Sequence, residues 1–180
     1  NFSVTADTNL YIYYGGPAAG AATNQNKTGT WNSNYVGVYH LNEGDSTATD
    51  FYKDSTSNSR DGSLTDADGD TAQATGIISN AMNFNGDADS IGLGNNIFGN
   101  LGDSVTVSAW INLDTNTGTE VIISEYQLGV CGDFYLGEQG GPALYATDGG
   151  AETLTGTALM LDTWYYVTFV SDASLAYLYR

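Results

Sequence analysis

Between residues 104 and 113 apolar side chains recur at every second position. Val105, Val107, Ala109, Ile111 and Leu113 share one face; Thr106, Ser108, Trp110 and Asn112 share the other. Only an extended backbone sends successive side chains to opposite sides, so this segment reads as a half-buried strand with Trp110 on its more polar face. WYYVTFV at 164–170 is aromatic and β-branched throughout and reads as a second strand. After a turn at Asp172 and Ala173, Leu175, Tyr177 and Tyr179 alternate with Ala176 and Leu178, which predicts a hairpin. Weaker strands are expected at 10–14, 35–41, 81–84, 90–93, 120–124, 133–136 and 143–146. Stretches rich in Gly, Asn, Asp and Thr separate them at 15–34, 42–75, 85–89 and 148–150. No window carries convincing 3.6-residue apolar spacing. The expected fold is all-β: an antiparallel two-sheet jelly-roll sandwich.

Charge narrows the function classes. Four basic side chains face 21 acidic ones, for a formal net charge of −17. With only Lys27, Lys53, Arg60 and Arg180 basic, nucleic acid and anionic lipid would be repelled. No apolar run approaches the roughly 18 residues of a membrane span. The single cysteine, Cys131, cannot close an internal disulfide. The single histidine, His40, lies far from it in sequence and reads as a hydrogen-bonded sheet residue, so a Cys–His catalytic pair is not expected.

Such acidity is ordinarily a solvated surface, but two loops concentrate it. Asp66, Asp68 and Asp70 stand at alternate positions around Gly69, and Asp87 and Asp89 follow Asn85 and Gly86. Calcium takes six to eight oxygens from such groups, so these five aspartates are the candidate metal ligands. The ordinary alternative is a pair of solvated Asp-Gly turns. The first loop is not an EF-hand, because its glycine is fourth rather than sixth and its twelfth residue is Ile77. For sugar contact the candidates are Trp31, Trp110 and Tyr126, aromatic faces that suit sugar C–H surfaces. Trp110 packed beneath a loop or against a neighbouring strand, and Trp164 with its tyrosine neighbours in the core and sheet face, are the structural alternatives. Glycoside hydrolysis needs two carboxylates facing one groove. Glu120, Glu125 and Glu138 are the candidates, but Glu120 and Glu125 are five apart and face opposite sides of a regular strand. Asn1-Phe2-Ser3 and Asn26-Lys27-Thr28 match glycosylation triplets, which recur by chance in chains of this composition.

Five landmarks in order carry a resemblance. They are Val36-Gly37-Val38-Tyr39-His40-Leu41-Asn42-Glu43-Gly44; Asp54-Ser55 with Asp61-Gly62-Ser63-Leu64; Ala81 to Ile91 (AMNFNGDADSI); Val105-Thr106-Val107-Ser108-Ala109-Trp110-Ile111; and Trp164 to Val170 with Tyr177-Leu178-Tyr179. Their order resembles a laminin-G-like, concanavalin A-like jelly-roll domain over 35–180. The resemblance implies a structural calcium near the 85–89 turn, with Asp54 and Glu43 as further contributors. It also implies strands beyond Tyr179, so truncation at the C-terminus is expected. TNLYIYYGG at 8–16 resembles the tail of a domain that precedes such modules in large prokaryotic surface proteins. The expected organisation is therefore a tail strand at 1–16, a linker at 17–34 and the jelly roll at 35–180.

The resulting expectation is a non-catalytic, calcium-stabilised, extracellular or cell-surface module for recognition or adhesion, with a glycan or a surface protein as partner. The alternative is a structural subunit of a filament, surface layer or virion. Neighbouring copies would then complete the strand at 174–180, which ends on Arg180.

Overall fold

The computed structural model describes residues 26–66, 69–86, 89–94, 97, 104–115, 118–125, 134–139, 141, 143–147, 153–172 and 175–180. In chain order the elements are α1 (Lys27–Thr30), β1 (Ser63–Thr65), β2 (Ala72–Thr75), β3 (Asn80–Asn83), β4 (Ser90–Gly92), β5 (Val105–Asn112), β6 (Thr119–Glu125), β7 (Phe134–Gln139), β8 (Ala143–Thr147), β9 (Thr153–Ala158), β10 (Trp164–Ser171) and β11 (Ala176–Tyr179). All strand pairs are antiparallel.

The strands with the clearest alternation build one layer. β5 and β10 pair along their full length, from Trp164 opposite Asn112 to Ser171 opposite Val105. β11 returns along the other edge of β10. Its turn is closed twice: the Asp172 amide donates to the Leu175 carbonyl, and the Leu175 amide donates to Asp172 Oδ1, both at 2.9 Å. The second layer is the meander β6–β7–β8–β9.

The layers meet through inward faces set by the period of two. Val107, Val167 and Phe169 from the first layer pack with Phe134, Leu136, Leu144 and Ala146 from the second, and Leu159 joins them. The rings of Phe134 and Phe169 lie 5.3 Å apart across the interface. A side chain at Gly156 on β9 would stand 3.3 Å from both Leu144 Cβ and Leu178 Cδ2, so the absence of one lets β9 approach β11. This is an antiparallel sandwich of the expected jelly-roll class.

Several local expectations change. Residues 35–41 form no strand and keep only an isolated bridge between Tyr39 and Asp54. Side chains claim the backbone there: Val38 N donates to Asp54 Oδ1, and Asn58 Nδ2 donates to the carbonyls of Tyr35 and Val36. Leu41, at φ +54, then turns the chain out of the extended region. Conversely, β1 and β2 lie inside the stretch read as turns, and β9 was not expected. These strands are short and polar, and β2 is mostly exposed, so they lack an apolar alternation to read. The single-turn α1 falls in the stretch read as a linker, capped by Asn26 Oδ1 accepting from Gly29 N at 2.9 Å. The expected strand at 10–14, Cys131 and residues 1–25 as a whole lie outside the described residues.

Candidate functional site

Two strand pairings bring the carboxylates together. Thr65 of β1 lies opposite Ser90 of β4, which carries Asp66 toward Asp89 just beyond the ladder. Ala72 of β2 lies opposite Asn83 of β3, which carries Asp70 toward Asn85. The oxygens of Asp66, Asp70 and Asp89 consequently lie within 4.8 Å of one another. Gly69 N donates to Asp66 Oδ1 at 2.6 Å, with Gly69 at φ +84, and Asn85 Nδ2 donates to Asp70 Oδ1 at 2.7 Å. The next residue, Thr71, is buried with its hydroxyl lacking a hydrogen-bond partner.

More acid lies nearby. Tyr52 is fully buried, and its phenol is pushed up by that burial and by the charges of Asp45, Glu43 and Asp66, against the opposing hydrogen bond from Ser46 N. Glu43 accepts from Lys53 N through Oε1, while its Oε2 is buried without a partner. Clustered like charges and orphaned oxygens are the donor set that a hard divalent cation such as calcium uses. Asp66, Asp70 and Asp89 fit that role, with Asn85 hydrogen-bonded to Asp70; Glu43 is not among the clustered oxygens. Asp68 and Asp87, the other two expected ligands, lie outside the described residues.

Asp54, the other carboxylate tied to calcium by resemblance, is engaged elsewhere. Its oxygens accept from the amides of Val38, Thr56 and Arg60 and from Thr56 Oγ1, at 2.8–3.1 Å. Burial opposes its ionisation, but these donors outweigh burial and hold its carboxyl below the ordinary value. Asp54 therefore knots the 35–62 segment.

The outer face of the β11–β10–β5 sheet forms a second feature. Trp110, 46% exposed, lies opposite Tyr166, with ring centroids 5.3 Å apart. Tyr166 donates its hydroxyl to Ser108 Oγ at 2.8 Å. Tyr177 and Tyr179 of β11 stack 6.1 Å apart on the same face, opposite Val170 and Thr168. Trp110 thus packs against the neighbouring strand, one of the two structural alternatives, and keeps an exposed face. Trp31 is half-buried and tilted against Tyr35 at 4.8 Å, and Tyr126 lies outside the described residues. His40 is exposed and belongs to no strand. Tyr166, Tyr177 and Tyr179 were not singled out from the sequence. In β11 both alternating sets are apolar, so alternation alone cannot say that Ala176 and Leu178 face inward.

Residues 84–180, more than half of the chain and spanning β4 to β11, match the laminin G family described as the concanavalin A-like lectin/glucanases superfamily. The chain belongs to this family. No curated protein and no solved structure matches it.

Since the superfamily's description names glucanases as well as lectins, the carboxylates of this concanavalin A-like domain need placing. β6 shifts register between Val121 and Ile123, and this bulge turns Glu120 and Glu125 to the same, inward side. The expected opposite facing holds only for a regular strand. Glu120 lies directly opposite Glu138 of β7, on the side of Phe134 and Leu136. Glu138 is 1% exposed, and neither of its carboxyl oxygens has a hydrogen-bond partner. The pair faces the interior between the layers rather than an open groove.

Proposed function

We propose that this domain is a non-catalytic recognition module that binds a neutral glycan on the outer face of the β11–β10–β5 sheet. The observation that carries this reading is electrostatic. In a chain of net charge −17, the outward positions of these strands bear no charged side chain. They are Thr106, Ser108, Trp110 and Asn112 on β5, Trp164, Tyr166, Thr168 and Val170 on β10, and Tyr177 and Tyr179 on β11. Flat aromatic rings among hydroxyl and amide groups match the apolar faces and hydroxyl edges of a sugar. The arrangement supplies no charge for an acidic polymer. Membership of a superfamily named for lectins supports the same ligand class.

Calcium at Asp66, Asp70 and Asp89 stiffens the chain just after β1 and just before β4. It neutralises three carboxylates and ties two strand pairs together. An extracellular or cell-surface setting, where calcium is abundant, suits this arrangement. Among the described residues no helix is long and apolar enough to cross a membrane.

A glycan array probed with the purified domain should show binding to neutral glycans and none to sulfated or uronic ones. Trp110→Ala and Tyr166→Ala should each weaken binding about tenfold, or about 1.4 kcal/mol, without moving the melting temperature. Absence of any neutral-glycan signal retires the reading. Turnover of a polysaccharide, lost in a single Glu→Gln variant, would replace it with hydrolysis.

Assembly between copies is the competing reading. β11 is an edge strand among the described residues, and such an edge can accept a strand from another chain. Concentration-dependent oligomers blocked by a proline in β11 would favour it.

A further inference from the structure

The interior carboxyl pair has no place in glycan recognition or in the calcium cluster. Glu138 ranks among the fully buried side chains, beside Leu136 on β7, with both carboxyl oxygens unpartnered. Its register partner Glu120 is half-buried on β6. Directly opposed side chains in an antiparallel pair have Cβ atoms about 4.5–5.5 Å apart. Two ionised carboxylates at that spacing, one of them 1% exposed and without a donor among the described residues, are strongly disfavoured.

The described surroundings offer no compensating charge. On β8, Glu138 faces Leu144. The Tyr135 hydroxyl of β7 donates to the backbone carbonyl of Glu138, and Tyr145 of β8 stands against its ring. Glu125 is at the far end of β6, opposite Phe134. Across the interface, the inward positions of β5, β10 and β11 are apolar apart from Tyr165 and Ser171. The Tyr165 hydroxyl accepts from Met160 N. Arg180 is committed to the Ala158 carbonyl at 2.7 Å and lies over the Tyr165 ring.

We infer that the burial of Glu138 directly opposite Glu120 makes the β6–β7 ladder a pH-sensitive joint, tight while Glu138 holds its proton and loosened when the proton leaves. Burial first, and then the charge of Glu120, raises the proton affinity of Glu138 in the folded state. A raised carboxyl contributes stability that is fully present below its ordinary value of 4.5. That stability is lost as pH rises through the folded-state value. The domain should therefore weaken toward alkaline pH, opposite to the usual behaviour of a salt-bridged carboxylate.

The test is thermal unfolding from pH 4.5 to 9 for wild type, Glu138→Gln and Glu138→Leu, in chelator and again in millimolar calcium. The calcium cluster is unaltered in all three proteins, so the difference between profiles isolates the pair. Wild type should lose melting temperature relative to both variants as pH rises. Each tenfold difference in proton affinity, about 1.4 kcal/mol, corresponds to about 3–6 °C for a domain of this size. Hydrogen exchange compared at one alkaline pH should be faster in wild type than in Glu138→Leu, with the excess confined to β6 and β7. The infrared carbonyl band of a protonated carboxyl that is absent in Glu138→Gln should fade in wild type over the same pH range in which its melting temperature falls. Parallel profiles, or a missing band, overturn the inference. A difference that calcium abolishes would overturn it as well, by making the pair a cation site.

Discussion

Asp54 shows how much a single side chain can organise. Three backbone amides and one hydroxyl converge on its carboxylate, so Asp54→Ala strands several donors in a buried setting and should cost about 3 kcal/mol. Because its folded-state carboxyl is held below the ordinary 3.8, its stabilisation is present above that value. It disappears as pH falls through the depressed one. Urea midpoints measured from pH 2 to 6 should show wild type losing stability toward acid more steeply than Asp54→Asn. Asp61 moves in the same direction for a different reason, its bond to Lys53 at 2.6 Å. That bridge is partly exposed, so Lys53→Ala should cost no more than about 1 kcal/mol. Neither role could be read from the sequence. Asp54-Ser55 was visible as a family landmark, but a carboxylate that gathers amides leaves no spacing signature.

At the scale of elements, apolar alternation carried most of the information. In β5 the buried and half-buried positions are Val105, Val107, Ala109 and Ile111, and the exposed ones are Thr106, Ser108, Trp110 and Asn112, as the sequence predicted. The hairpin of β10 and β11 was legible for the same reason. Phe169 sits at its centre, fully buried against Phe134, and Phe169→Ala should destabilise by about 3–5 kcal/mol. Equilibrium denaturation would register this as a lower midpoint with an unchanged slope. On the opposite face Tyr177→Ala, a roughly half-exposed position, should change stability by less than about 0.5 kcal/mol. The bulge in β6 had no sequence signal. It forms where the chain fits one extra residue against β7, and it reverses the facing of Glu125 relative to Glu120.

For the whole molecule the dominant fact is charge. A net charge of −17 repels itself, so added salt should raise the melting temperature by screening, within a Debye length of about 10 Å at 0.1 M. Calcium should act more strongly and at far lower concentration. A ligand bound only by the folded state adds about 2.7 kcal/mol at a hundredfold excess over its Kd. Calorimetry with calcium and with chelator should reveal that shift in wild type and abolish it in Asp66→Asn/Asp89→Asn. Equal melting points in both buffers would remove the metal from the proposal. The sequence by itself determined the class of fold and the inward faces of the principal strands, because side-chain alternation is a local property of extended backbone. It also determined which loops are rich in carboxylates. Only the tertiary structure decided which acids meet. Asp66 reaches Asp89 through the register of β1 with β4, and Glu120 reaches Glu138 through that of β6 with β7. Register is set by the packing of both layers at once.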